Sequence, residues 1–127
     1  MTTTDIGRYG EDIAANYLKK NGYKILERNR HQSHNEIDII AVNKEFIVFV
    51  EVKTRSVEND LYSEYGTPAS AVTRSKQFRL ISAAKSYMYA TKKHYGRQPR
   101  MDVIEVYLSK YDGKLLNLNH IIDAFGE

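Results

Sequence analysis

The sequence predicts an α/β domain in which a central mixed sheet is flanked by helices, with the element order αβββαββ. Two stretches, 4–20 and 67–91, repeat apolar residues at helical spacing. Between them, the stretch 35–55 contains two runs rich in Ile, Val and Phe, separated by a short polar turn. The second run is apolar at nearly every position, which is typical of a central strand covered on both faces.

Capping and turn residues predict where the N-terminal elements begin and end. Thr4 or Asp5 is expected to cap the first helix, and Asn21-Gly22 to end it. Residues 23–30 are predicted to form the first strand, and 29–34 a polar loop before the central hairpin.

The C-terminal half begins with an acidic and aromatic loop at 56–66, which is expected to lie beside the site described below. The second helix is predicted over 67–91, because its Thr-Pro start suits a cap and a first turn. Two further strands are expected at 101–109 and 114–120. This order of elements is that of helices packed on a mixed sheet.

Composition indicates one ordinary globular domain over residues 1–127. The chain has no Cys, which excludes disulfides and thiolate metal sites. No apolar run approaches the roughly 20 residues of a membrane span, and the N-terminus lacks a signal-peptide pattern. We therefore expect a cytoplasmic protein with no membrane association.

Positive charge is concentrated in the segment 67–100. This segment has eight basic residues and no acidic residue, so it carries +8. The other 11 basic residues face 16 acidic ones, so the rest of the chain carries −5. Such asymmetry favours a surface that faces nucleic-acid phosphates, although a solvated helix face remains an alternative. The expected nucleic-acid-binding residues lie on this helix and near the central strands: Arg74, Lys76, Arg79, Lys85, Arg30 and Arg55.

Charged residues interrupt the end of the most apolar strand. Side chains alternate along a strand, so Glu51 and Lys53 share one face. In the preceding strand, Asp38 can lie close to Glu51 if the two strands pair as a hairpin. Glu11 falls on a flank of the first helix made of small and apolar residues, from which its carboxylate can reach inward. Charges among apolar neighbours are costly, and this cost suggests a site.

The expected chemistry is that of a Mg²⁺ (or Mn²⁺) site. Mg²⁺ prefers oxygen ligands, typically one or two carboxylates with water and substrate oxygens. Asp38 and Glu51 supply carboxylates, and the backbone carbonyl of Val52 is placed to supply a third oxygen. Lys53 could orient the attacking water or stabilise charge on a phosphate.

The order Glu11, Asp38, Glu51-Val52-Lys53 resembles the PD-(D/E)xK nuclease superfamily, which has the restriction-endonuclease-like fold. It is also similar to archaeal Holliday-junction resolvases. A closer resemblance, to the YraN-type uncharacterised bacterial family, covers nearly the whole chain. That resemblance is carried by Gly10-Glu11, Ala14, Tyr17-Leu18, Gly22-Tyr23, Arg28-Asn29, Glu36-Ile37-Asp38, the run from Val48 to Arg55, Gly66-x-Pro68 and Asp102-Val103. One departure is Asn35, where members of that family usually have Gly.

The resemblance implies a Mg²⁺-dependent endonuclease that hydrolyses DNA, with branched DNA as one candidate substrate. Glu11, Asp38, Glu51 and Lys53 would then be catalytic, with Glu11 a supporting carboxylate or a ligand of a second metal. A homodimer is one arrangement that would serve the two strands of a duplex. Two alternatives stay open: a non-enzymatic nucleic-acid-binding or protein-interaction module that retains the fold, and a purely structural ion cluster.

Overall fold

The computed structural model describes residues 2–58, 72–94 and 96–126. Within them the predicted α/β order αβββαββ is confirmed, and it is the order that the restriction-endonuclease-like resemblance implies. The elements are α1 (Thr3–Lys20), β1 (Lys24–Gln32), β2 (Asn35–Val42), β3 (Phe46–Val57), α2 (Arg74–Ala90), β4 (Gln98–Ser109) and β5 (Leu115–Phe125), with a 3-10 turn at Lys92–His94 before β4. In this part of the chain no helix is both long and apolar enough to span a membrane.

The sheet is mixed, and its strands lie in chain order from β1 to β5. β3 and β4 are parallel over their whole length, from Phe46 beside Gln98 to Val57 beside Ser109. The other neighbouring strands are antiparallel. β3 is therefore the central strand, as its nearly continuous apolar sequence predicts.

Two apolar layers cover the sheet, one under each helix. The α1 layer contains Ala14, Ala15, Leu18, Ile39, Ala41, Val48, Val50, Val52, Ile104, Val106 and Leu108. The α2 layer contains Leu80, Ala83, Ala84, Tyr87, Ile40, Val42, Ile47, Phe49, Met101 and Val103, among others. Because side chains of β3 alternate between the layers, Glu51 follows Ile47 and Phe49 onto the α2 side of the sheet.

α1 approaches β3 most closely at a glycine. A Cβ atom built on Gly10 would lie 1.9 Å from Thr54 Oγ1 and 2.8 Å from Thr54 Cβ. Only a residue without a side chain allows this approach. The contact fixes the position of α1, and with it that of the neighbouring Glu11, over the end of β3.

A buried polar network joins β4 to β5. Asp102 is fully buried, and its carboxylate accepts hydrogen bonds from Arg100 Nε at 2.9 Å and Nη2 at 2.8 Å and from the Asp123 backbone N–H at 3.0 Å. His120 Nε2 lies 2.7 Å from the same carboxylate, and Tyr17 Oη of α1 lies 2.9 Å from His120 Nδ1. Burial alone would raise the pKa of Asp102, but the bonds to His120 and Arg100 hold that pKa below its usual value.

Several predicted boundaries were wrong. The cap of α1 is Thr2, which accepts from the Asp5 N–H while Asp5 accepts from the Thr2 N–H. The predicted loop at 29–34 is mostly strand, since β1 continues to Gln32 and only Ser33-His34, both with positive φ, form the turn. Polar composition misled here because β1 is an edge strand, whose exposed positions are polar.

The other errors concern β5, the end of β3 and the start of α2. β5 extends to Phe125, five residues beyond the predicted strand, because the Asp102 network holds this segment against β4. β3 extends to Val57, and α2 begins at Arg74 with Thr73 as its cap, later than predicted. The rest of the expected loop and the Thr67-Pro68 start lie outside the described residues.

The contact of Gly10 with Thr54 predicts an unusual cost for a small substitution. Gly10→Ala should lower the free energy of unfolding by about 1–3 kcal/mol, because the methyl group overlaps the Thr54 side chain. Gly7→Ala is the matched control on the same helix, since nothing lies within 4 Å of its new Cβ. It should stabilise the protein by up to about 1 kcal/mol through helix propensity. Urea unfolding of both variants tests this, and equal effects would contradict the close approach.

Candidate functional site

The candidate site forms where β2 and β3 separate. Backbone pairing of these strands ends at Ile39 and Val50. Beyond that point the side chain of Asp38 takes over, because its Oδ2 accepts a hydrogen bond from the Val52 N–H at 2.9 Å. In a strand the N–H and C=O of one residue point toward the same neighbouring strand. The Val52 carbonyl therefore points toward the side of β3 where Asp38 lies.

Glu51 is the most deeply placed acidic group of the site, with 6% of its side chain exposed. Its Oε1 lies 3.6 Å from Lys53 Nζ and 4.0 Å from Lys76 Nζ, which reaches in from α2. Its Oε2 is buried and has no hydrogen-bond partner within the described structure. A buried oxygen of this kind is costly unless a ligand satisfies it.

Burial and mutual repulsion raise the pKa values of the carboxyl groups at the site. Burial, and then the charge of Asp38, raises the pKa of Glu51 to about 7, although Lys76 and Lys53 oppose the shift. Burial also raises the pKa of Asp38, against the hydrogen bond from Val52. Burial and mutual repulsion are the causes expected for carboxylates that share a site.

Glu11 approaches the same acidic group from α1. Its Oε1 is buried without a hydrogen bond in this part of the structure, and Arg28 Nη2 lies 3.7 Å away. Burial, followed by the charge of Asp38, raises the pKa of Glu11, whereas Arg28 lowers it. The structure therefore places Glu11 and Glu51 each near Asp38, and Lys53 near Glu51, with one acid from each of three elements.

The donor set suits a hard divalent cation with few protein ligands. Within residues 2–58, 72–94 and 96–126, no group of three or more His, Asp or Glu side chains is arranged to hold a metal. Asp38 and Glu51 therefore remain a pair, and the Val52 carbonyl, on the same side of β3 as the N–H that Asp38 accepts, is a candidate third oxygen. Mg²⁺ is commonly bound by one or two carboxylates, with water completing its shell. The partnerless Oε2 of Glu51 and the raised carboxyl pKa values both fit such an ion.

The six basic residues expected to bind nucleic acid occupy different environments. Arg74, Arg79 and Lys85 are exposed on α2, and Lys76 reaches from the same helix to Glu51. Arg30 contacts Glu27 at 2.8 Å and stacks over the Tyr87 ring, and Arg55 is paired with the buried Glu105. These last two are engaged within the fold.

The basic segment 67–100 is less available to phosphates than its charge suggests. Arg100 is buried and paired with Asp102. Arg97 donates to the Asn43 carbonyl at 2.8 Å, in the turn between β2 and β3. The exposed charge is thus concentrated on α2 and the 3-10 turn that follows it.

Sequence reasoning missed two charged neighbours of the site. Glu105 is 1% exposed and lies beside Lys53 in the register of β3 and β4. Arg28 lies between Glu11 and Asp12, 2.8 Å from the latter. An acidic residue inside the apolar run 101–108 was the available signal for Glu105, whereas the position of Arg28 depends on how α1 packs.

Comparison with known proteins places this chain in a family. The model of the Uncharacterised protein family UPF0102 matches residues 10–106, a range that contains all four expected catalytic residues. The chain belongs to this family. The resemblance of the sequence motifs to an uncharacterised protein family is therefore confirmed.

Relatives in the family match over nearly their whole length. A UPF0102 protein of Clostridium perfringens is 48% identical over 120 residues, covering 94% of this chain and 93% of the relative. One from Caldanaerobacter subterraneus subsp. tengcongensis is 47% identical over 121 residues, covering 94% and 93%. One from Dictyoglomus thermophilum is 40% identical over 125 residues, covering 98% and 100%.

Among solved structures, a repair endonuclease from Pyrococcus abyssi is similar with a TM-score of 0.37 and 22% sequence identity. The match covers 89% of this chain but only 41% of that protein. A likeness at this level says nothing about activity.

The raised pKa of Glu51 predicts a pH dependence of stability. The folded state binds this proton more tightly than the unfolded state, so the contribution of Glu51 to stability falls as pH rises from about 4.5 to about 7. Glu51→Gln should have little effect at pH 4.5 and should be more stable than wild type by about 2 kcal/mol at pH 8. Urea unfolding across this range measures the difference. Glu45→Gln, in the exposed turn before β3, is the control and should track wild type; parallel curves for all three proteins would contradict the shift.

Proposed function

We propose that this protein is a divalent-metal-dependent nuclease that hydrolyses phosphodiester bonds of DNA. The observation that carries the proposal is the pair of acids at the end of β3. Glu51 is buried and Asp38 is half-buried, both have raised pKa values, and Glu51 Oε2 has no partner among the described residues. Strongly perturbed titratable groups that converge in one place are typical of functional sites.

A second buried acid in the same sheet shows what structural use of a carboxylate looks like here. Asp102 has both oxygens engaged by Arg100, His120 and the backbone, and its pKa is lowered. Glu51 has two ammonium groups near one oxygen, at 3.6 and 4.0 Å, but its pKa is raised. This contrast argues against the reading of the Glu51 group as a structural ion cluster, because a stabilising ion pair favours the charged form of its acid.

Each residue of the site has a distinct role in this proposal. Asp38, Glu51 and the Val52 carbonyl would hold Mg²⁺ or Mn²⁺, which when bound neutralises phosphate charge and lowers the pKa of an attacking water. Lys53, on the face of Glu51, orients that water or stabilises the charge that develops on the phosphate. Glu11 would be a further carboxylate next to Asp38, or a ligand of a second metal ion.

The basic side of α2 supports DNA as the partner. Arg74 and Arg79 are exposed on the helix whose Lys76 reaches the site, so phosphates bound along α2 would lie near Glu51. A binding module without activity would need only this helix. It would not need two neighbouring acids with raised pKa values. The substrate structure, with branched DNA included, is a question for the assay below.

A cleavage assay tests the activity. Linear, flapped, four-way and single-stranded DNA are incubated with Mg²⁺, with Mn²⁺ and with EDTA. Wild type should cleave at least one of these substrates only with a metal. Asp38→Asn should lower the rate by about 100-fold or more, the scale of loss for a group that stabilises transition-state charge.

Asp112→Asn is the matched control, because it makes the same chemical change in the exposed turn between β4 and β5. It should retain the wild-type rate. If no substrate is cleaved while DNA is bound tightly, the non-enzymatic module is the correct reading. Equal cleavage by Asp38→Asn and wild type would place the chemistry elsewhere.

Salt dependence tests the DNA-binding surface separately from activity. For duplex DNA, each neutralised phosphate contributes about −0.9 to the slope of log K against log salt concentration. Replacing Arg74, Lys76 and Arg79 together with Gln should flatten the slope by roughly one unit for each residue in contact. Lys19→Gln with Lys20→Gln, at the end of α1, is the control. An unchanged slope in the triple variant would exclude α2 as the phosphate-binding surface.

A further inference from the structure

The first turn of α2 carries positive charge that its own helix disfavours. Arg74 and Lys76 lie in this turn, which contains no acidic residue. The N-terminus of a helix already has a partial positive charge, so cations there are unfavourable. Thr73 caps the turn but supplies no charge, since its hydroxyl only accepts from the Lys76 N–H at 3.2 Å. The anion that balances this turn must come from outside the helix.

Glu51 provides that anion. Lys76 Nζ lies 4.0 Å from Glu51 Oε1, and Lys53 Nζ lies 3.6 Å from the same oxygen. The side chains of Lys76 and Lys53 are 39% and 35% exposed, so each ammonium reaches solvent. Two ammonium groups thus share one oxygen at distances longer than a hydrogen bond, while Oε2 has no partner among the described residues.

This arrangement balances only in the absence of a metal. When no metal is bound, the two ammonium groups offset the negative charge that Asp38 and Glu51 carry, while Arg28 lies against Glu11. A divalent cation on the two carboxylates would add two more positive charges, and like charges this close repel. One ammonium group must then move away. Lys53 is fixed two residues from Glu51 on β3, whereas Lys76 reaches the site from a separate helix and makes the longer contact.

We propose that Lys76 is an exchangeable counter-cation of the site. It neutralises Glu51 when no divalent cation is bound, and it transfers to a phosphate of the nucleic acid when one binds. The inference rests on the proposed function, because it needs a cation on Asp38 and Glu51 and a phosphate beside α2. Its consequence is that metal loading and DNA binding are coupled through one side chain, and thermodynamic linkage makes that coupling reciprocal.

Lysine labelling tests the release of Lys76. The protein is treated briefly with acetic anhydride, with and without saturating Mn²⁺ and without DNA, and acetylation at each lysine is measured by mass spectrometry. Lys76 should react severalfold faster with Mn²⁺. Lys93, exposed on the 3-10 turn, should react at one rate in both conditions. In Asp38→Asn, the rate at Lys76 should no longer respond to Mn²⁺.

The transfer to phosphate is tested by affinities. Titration calorimetry should show that Lys76→Met binds Mn²⁺ severalfold more tightly than wild type, because a competing cation is gone. Ca²⁺, used to avoid cleavage, should raise the DNA affinity of wild type by a larger factor than that of Lys76→Met. Lys20→Met makes the same chemical change at the exposed end of α1 and should match wild type in both measurements.

The outcomes separate this inference from the proposed function. Mn²⁺ binding with an unchanged labelling rate at Lys76 would overturn the exchange and leave the nuclease proposal standing. Faster labelling, but an equal effect of Ca²⁺ on DNA affinity in wild type and Lys76→Met, would overturn the transfer to phosphate. If wild type binds no Mn²⁺ at all, both the metal site and the exchange are wrong.

Discussion

The hydrogen bond from the Val52 N–H to the Asp38 carboxylate is the interaction on which the site depends. It lies just beyond the last backbone pair of β2 and β3, so a side chain of β2 replaces a backbone carbonyl as the acceptor for β3. The bond satisfies a buried N–H that would otherwise lack a partner, and it fixes the carboxylate beside Glu51. The cost is that a half-buried acid and a buried acid lie close together, and the pKa values of Asp38 and Glu51 are raised as a result.

The two helices bring further charges to this point by different means. α1 is held against β3 by the close approach of Gly10 to Thr54, and the next residue, Glu11, is thereby directed toward Asp38. α2 packs through an apolar face on the opposite side of the sheet, and its first turn projects Lys76 to Glu51. Glu11 is therefore positioned by backbone packing, whereas the ammonium group of Lys76 is positioned by a long, flexible side chain.

The sequence was sufficient for the parts that local pattern controls. The apolar run in β3 and the alternation after it identified the central strand and the face shared by Glu51 and Lys53. The extent of β5 could not be predicted this way, because residues 121–125 are held by the Asp102 network, which joins distant parts of the chain. The place of Glu105 beside Lys53 was hidden for a similar reason, since it depends on the parallel register of β3 and β4.

The ladders on the two sides of β3 explain why a charged site can exist in the middle of an apolar sheet. Toward β4, pairing is continuous over all 12 residues of β3, which fixes the strand that carries the site. Toward β2, pairing stops at Val50, so the carbonyl of Val52 emerges at an edge where only a side chain continues the ladder. The strand is thus fully paired toward β4 and has no backbone pairing to β2 beyond Val50. Glu51 lies at the point where the pairing with β2 has ended, on a strand whose register with β4 is continuous, and such preorganisation is what a catalytic or cation-binding site would require.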